Sequence, residues 1–341
     1  MTMPFTATRQ VGSTGLHLPR LGLGLAHLGG MWGRVPAAVA EETLTAAWDA
    51  GFRFFDTAPW YGRGLSEHRL GSFLIDRPRD AFVLTTKVGR VLHRPDDLAG
   101  FDIAPWTGGL RFTVEFTYTY DGVMRAYEQS LMRLGLDTID ALLIHDPDEV
   151  LHGDQFEARM QELENGGYKA LEALKAQGQI KAIGMGMNTT QALATAGARV
   201  PLDFAIVAMP YTLLDQSALP ALAAFASRGT AIIIGAPYAS GILVTGPVPG
   251  ARYRYAPASA EIVGKAAAIQ TICARYHVPL AAAALHFVLA HPAVVSAIPG
   301  AATAAEARAI ADAFAVVPPT AMWAALRDQG LIDPSAPLPQ A

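Results

Sequence analysis

Short apolar runs alternate with amphipathic stretches along most of the chain, from Leu21 to Ala313. The apolar runs cover residues 21–25, 52–56, 82–87, 139–144, 180–185, 204–208, 231–235 and 294–298. Runs this short, mostly without polar alternation, predict strands buried on both faces. Between them, residues 37–50, 120–134, 167–177, 219–228 and 304–313 repeat apolar positions with a helical period. Eight strand–helix alternations predict an α/β fold of the (β/α)8 TIM barrel type, with a doubly wound open sheet as the competing architecture. Against the open sheet, Leu21-Gly22-Leu23-Gly24-Leu25 does not lead into a glycine-rich phosphate turn opening a helix. Its glycines are expected to allow close backbone approach at the barrel wall.

Residues 8–19, with Gly12 and Gly15 between apolar stretches, read as an N-terminal hairpin closing the far end of the barrel. Three stretches exceed ordinary loop length: 89–119 after the third strand, 238–257 after the seventh, and a Pro-rich tail from Asp333. Loops that follow barrel strands lie on the active-site face, so the first two are expected to cover a ligand. No linker or low-complexity segment divides the chain, and residues 1–341 are read as a single domain.

Composition narrows the class. The 341 residues are 51% hydrophobic and 16% charged, enough for a large enzyme-like core. The net charge of −4, with acids and bases interspersed, offers no basic stripe for nucleic acid. Cys273 is the only cysteine, which removes a disulfide framework and a thiolate metal site and reads as a passive core thiol; no metal is expected. The N-terminus carries no basic segment followed by an apolar one. The longest apolar run, 280–290, is broken by His286 and too short to span a bilayer. The expectation is a cytoplasmic protein with a small-molecule substrate and no membrane or nucleic-acid partner. Its state as monomer or homo-oligomer is left open.

Candidate chemistry gathers at the strand ends. Asp56 closes the second strand, Tyr61 follows it across a Pro-containing turn, Lys87 ends the third, and His145 follows the fourth. In a parallel barrel these ends share one face. Each residue alone has an ordinary reading: a turn-capping aspartate, a solvated lysine tip, a loop histidine. Together they make a proton-transfer site. A phenol with an ordinary pKa near ~10 is a poor base at neutral pH, and bringing it toward ~7 requires roughly 4 kcal/mol. Lys87 is expected to supply that stabilisation, Asp56 to hold the ammonium in place, and His145 to orient a substrate oxygen.

Asp56-Thr57-Ala58-Pro59-Trp60-Tyr61-Gly62, Thr86-Lys87, Ser130-Leu131-Met132-Arg133-Leu134-Gly135, Ile144-His145 and Ile298-Pro299-Gly300 resemble the aldo-keto reductase family, in order and over nearly the whole chain. The resemblance implies a (β/α)8 barrel that binds an extended nicotinamide cofactor without a Rossmann fold, with Asp56, Tyr61, Lys87 and His145 as the catalytic tetrad. Lys87-Val88-Gly89-Arg90, His145-Asp146-Pro147-Asp148 and Pro237-Tyr238-Ala239-Ser240-Gly241-Ile242-Leu243 are similar to the branch of L-fucose (D-threo-aldose) 1-dehydrogenases, with pyridoxal 4-dehydrogenase nearby. This implies oxidation of an aldose at C1 to its lactone, with pyridoxal oxidation, general aldehyde reduction and a redox-sensing cofactor-binding subunit as alternatives.

By the same resemblance Asn188 meets the nicotinamide carboxamide, the loop from Ser240 to Leu243, with Ser240, Gly241 and Leu243, folds over the pyrophosphate, and Tyr238, Pro299 and Gly300 are further cofactor-binding residues. Ala302 stands where many relatives place an arginine for a 2'-phosphate, and Ala309 and Ile310 where they hold adenine with a Glu-Asn pair. NAD is therefore expected over NADP, since losing a charge-assisted phosphate contact costs about 1.5–3 kcal/mol. Met209-Pro210 replaces a Gly-Arg frequent in the sugar dehydrogenases. From the residues themselves, Trp32, Trp60, Trp106 and Phe112 are expected to line an aromatic substrate mouth, although such aromatics also serve to pack loops.

Overall fold

The apolar runs become strands of a closed barrel in a computed structural model that describes residues 4–339. In chain order the strands are β1 (Thr8–Gln10), β2 (His17–Pro19), β3 (Leu23–Gly24), β4 (Phe54–Asp56), β5 (Val83–Val88), β6 (Arg90–His93), β7 (Thr113–Phe116), β8 (Ala141–His145), β9 (Ala182–Met187), β10 (Phe204–Ala208), β11 (Ala231–Gly235), β12 (Arg252–Tyr253), β13 (Ala256–Pro257) and β14 (Val294–Ile298). Eight of these form one sheet ordered β3-β4-β5-β8-β9-β10-β11-β14. Every pair in it is parallel. Parallel bridges Leu21–Ala297 and Gly24–Gly300 join its last strand to its first.

Closure depends on the glycines of the first strand. A Cβ at Gly24 would lie 2.9 Å from Ile298 O, and one at Gly22 would run into the Phe54 ring. Arg20 locks the same seam, donating from Nη1 to Val294 O at 2.7 Å and from Nη2 to Leu289 O at 2.6 Å.

The interior is a packed core. Phe54, Leu143, Phe204, Ile206 and Ile233 fill the barrel, and Val11, Leu16 and Leu18 of the β1–β2 hairpin plug its floor. The larger core lies between the strands and the surrounding helices. Cys273 is buried there, and burial pushes its thiol up to about 11, so it is inert. No single helix among the described residues is long and apolar enough to cross a membrane.

Local signals set the helix limits. Thr119 Oγ1 accepts from Gly122 N at 3.1 Å to start the helix Tyr120–Leu134, and Gly135, at φ 63°, stops it. The helix expected at 167–177 is Tyr168–Ala176, but it continues Phe156–Glu162 through a wide turn at Leu163–Gly167. There Gly167 packs against the Tyr118 carbonyl, leaving no room for a Cβ. Both long loops contain structure. Residues 89–119 carry an antiparallel hairpin pairing Arg90 with Phe116, and residues 238–257 carry the short β12–β13 hairpin.

Candidate active site

The barrel register brings the strand-end polar groups to one rim. Asp56 pairs with Thr85 across β4–β5, and His145 with Gly186 across β8–β9, so Asp56, Lys87 and His145 finish at neighbouring levels. Tyr61 is returned over them by the turn after β4, where its N–H donates to Ala58 O at 3.1 Å. All four line one cavity of about 1020 Å³ at the C-terminal ends of the strands.

Lys87 Nζ donates to Asp56 Oδ2 at 2.7 Å and to Thr57 O at 2.8 Å, and Thr85 Oγ1 holds the second carboxylate oxygen at 2.8 Å. The ammonium lies 4.7 Å from the Tyr61 ring centroid. His145 meets that ring edge-on, 5.9 Å between centroids.

The expectation that Lys87 draws the phenol toward neutral pKa is not met. Burial, then Asp56 and Asp146, push Tyr61 well above the usual phenol value, with only Arg90 opposing them. The charge of Lys87 is matched at contact distance by Asp56, so the phenol experiences the pair rather than a free cation. Tyr61 is thus held protonated. Burial, Arg90 and Lys87 push His145 well below the ordinary histidine value, which keeps it neutral at physiological pH.

The expected cofactor residues Asn188, Tyr238, Ser240, Gly241, Pro299 and Gly300 face this cavity. Leu243 does not: it is fully buried beneath its loop. Trp32, Trp60 and Trp106 line the mouth, with the Trp60 and Trp106 rings at 78° and 5.6 Å. Phe112 stays outside, and its carbonyl takes the Arg63 Nη1 donor at 2.9 Å.

A nicotinamide dinucleotide fits these walls. The cavity lining takes in Asn188 together with Ala302, Ala309 and Ile310. Buried Trp106 Nε1, His145 Nδ1 and His27 Nδ1 have no hydrogen-bond partner among the described residues. Gly300 leaves room for the His27 ring, which a Cβ would strike.

Four further residues escaped the reading of the sequence. Arg90 Nη2 donates to Asp146 Oδ2 at 2.9 Å, a buried ion pair behind His145. Tyr255, at φ 65° in the β12–β13 turn, stacks on Trp32 at 6.0 Å across the mouth. Glu306 lines the far wall and accepts from Ala302 N at 2.8 Å. Arg90 and Asp146 lie within Lys87-Val88-Gly89-Arg90 and His145-Asp146-Pro147-Asp148, which resemble the dehydrogenase branch but had carried no role for these two, whereas Tyr255 and Glu306 lie in no such motif.

A profile described as "Aldo/keto reductase family" matches residues 20–329. Pyridoxal 4-dehydrogenase of Microbacterium luteolum is 40% identical, over 97% of this chain and 100% of that enzyme. D-threo-aldose 1-dehydrogenase of a Pseudomonas species is 37% identical, over 94% and 96%. Among solved structures, an aldo-keto reductase from Bacillus halodurans superposes with a TM-score of 0.73, covering 98% of both chains at 23% identity, a likeness of fold.

Proposed function

The chain belongs to the aldo/keto reductase family and is an NAD(P)-dependent oxidoreductase, and from this we propose that it oxidises a cyclic hemiacetal to a lactone, with NAD preferred. The observation that carries the proposal is the convergence of Asp56, Tyr61, Lys87 and His145 on one cavity. The reaction removes a hydride from the hemiacetal carbon and a proton from its hydroxyl. Bound nicotinamide supplies the hydride acceptor and, when oxidised, a positive charge.

The chain manages the proton. Tyr61 takes it from the hydroxyl, and Asp56 fixes Lys87 beside the Tyr61 ring through their 2.7 Å ion pair. His145, neutral, donates one hydrogen bond to orient the reacting oxygen. In reverse, the protonated Tyr61 is the acid.

Both relatives' named substrates, pyridoxal and an aldose, can present a cyclic hemiacetal. Motif order puts the aldose C1 first, whereas the walls favour the flat ring of a pyridoxal-like compound. Trp32, Tyr255, Trp60 and Trp106 offer aromatic faces, and Asp146, which lines the same cavity, is already held by Arg90 and Asn188. A polyol would find few free partners there. The aldose is the second reading, supported by the D-threo-aldose relative.

For the cofactor, Glu306 adds a negative charge to the wall assigned by resemblance to adenosine, beside Ala302. A 2'-phosphate there meets a carboxylate rather than an arginine, which supports NAD and counts against an NADPH aldehyde reductase.

Tyr61→Phe tests the assignment. Its kcat is expected to fall at least ~100-fold, with NADH affinity measured by fluorescence within about threefold of the parent. A variant retaining more than about a tenth of the parent kcat removes Tyr61 from the proton-transfer role.

A further inference from the structure

The β12–β13 hairpin pairs Arg252 with Pro257 and Tyr253 with Ala256, which leaves Arg254 and Tyr255 alone at its tip. Both tip residues have positive φ, 47° and 65°, a demand of tight hairpin turns that asparagine and glycine meet most easily. Here an arginine and a tyrosine meet it, so the turn is strained and needs contacts outside itself to persist. Tyr255 belongs to neither hydrophobic core, so core packing does not offset the strain.

The contacts that hold the tip also aim it at the cavity. Arg254 Nη2 donates to Asp215 Oδ2 at 2.6 Å, anchoring the hairpin to the loop after β10. Tyr255 N donates to Ser240 Oγ at 3.0 Å, and the Arg252 guanidinium lies 5.1 Å from the centroid of the Trp32 ring. The Tyr255 ring stacks on Trp32 at 6.0 Å and 29°, and both residues line the cavity that holds Tyr61. Tyr255 is 44% exposed overall. Its hydroxyl is nevertheless pushed up by burial and then by Tyr61 and Asp146, which puts that end of the side chain inside the mouth.

We propose that Tyr255 is a specificity-determining residue, which with Trp32 forms a preorganised aromatic roof at the cavity mouth that selects a planar heteroaromatic substrate over a puckered sugar ring. A flat ring meets an aromatic face over its whole area, whereas a pyranose touches it at fewer atoms. The proposal deepens the pyridoxal-like reading of the substrate given above and rests on it.

The test is calorimetric binding to the full-length protein loaded with NADH, using two ligands that NADH cannot reduce. Pyridoxine is a flat pyridine, and methyl α-L-fucoside is a puckered ring. Tyr255→Gly deletes the aromatic ring, supplies the residue that the turn favours, and keeps the N–H that Ser240 accepts. Pyridoxine is expected to bind the parent and to weaken about tenfold in Tyr255→Gly, with the fucoside and NADH itself changed less than about threefold. Tyr255→Phe, which retains the ring, is expected to hold pyridoxine within about threefold of the parent. A parent that does not bind pyridoxine overturns the proposal, whatever the variants do. So does a Tyr255→Gly protein that binds pyridoxine like the parent, or one that loses the fucoside or NADH to the same extent. Neither ligand reacts, so absence of turnover on every substrate counts against the proposed reaction and not against Tyr255.

Discussion

Tyr61 is a phenol with a raised pKa beside a lysine that is ion-paired with Asp56, and this fixes how its chemistry depends on pH. Because its pKa is raised, the deprotonated base needed for oxidation is scarce at neutral pH and grows about tenfold per pH unit below that pKa. Oxidation kcat should therefore climb from pH 7 toward 10, while reduction, which uses the protonated form, should stay level through neutrality and fall only in alkali. His145, whose pKa is lowered, adds no limb between pH 6 and 8. Asp56 is one of the charges that raise Tyr61, so Asp56→Asn should displace the ascending limb of oxidation to lower pH, at reduced kcat because Lys87 loses its anchor. A displacement to higher pH contradicts the electrostatic account. The four strand-end residues were readable because barrel topology turns sequence order into position. The phenol's pKa was not, since it is set first by burial and then by Asp56 and Asp146, which only the folded site brings to bear on it. Tyr255 was hidden in a hairpin turn whose place over Trp32 is set by neither strand periodicity nor a motif.

Each barrel element was visible as an apolar run, with boundaries differing by a few residues: the first run, 21–25, narrows to Leu23–Gly24, with Leu21 forming an isolated bridge to Ala297 of β14. The β6–β7 hairpin was hidden for a physical reason. Val91 and Leu92 are both buried, so the segment lacks the alternation that announces a half-exposed strand. The long loop beyond it is held from outside by Arg63, which donates to the carbonyls of Phe112 and Ala104. At the barrel seam, Arg20 satisfies carbonyls of β14 and of the helix Leu280–Ala290, and burial lowers its pKa to about 10. Arg20→Met strips those buried acceptors and should cost about 2–4 kcal/mol, read as an earlier denaturation midpoint at unchanged slope. A midpoint equal to the parent's would mean the seam does not need it.

At the scale of the molecule, the barrel closes only when residues near the start meet residues near the end, as Leu21 and Gly24 meet Ala297 and Gly300. Denaturation followed by tryptophan fluorescence and by circular dichroism should therefore give one coincident transition, and two separated transitions would contradict the single unit read from the sequence. The same closure places the ends of strands far apart in sequence around one cavity, so a local proton-transfer pair becomes a site with a cofactor end and a substrate end. Ala302 and Glu306 stand at the end proposed for the cofactor, and the end proposed for the substrate is aromatic. Both properties are read together by initial rates of absorbance gain at 340 nm with pyridoxal, L-fucose and D-arabinose, each with NAD and with NADP. Turnover of at least one of these hemiacetals to its lactone is expected, with the highest kcat/KM for pyridoxal and NAD favoured at least ~10-fold over NADP. Equal kcat/KM with the two cofactors, or no reduced cofactor formed from any of the three substrates, would contradict it.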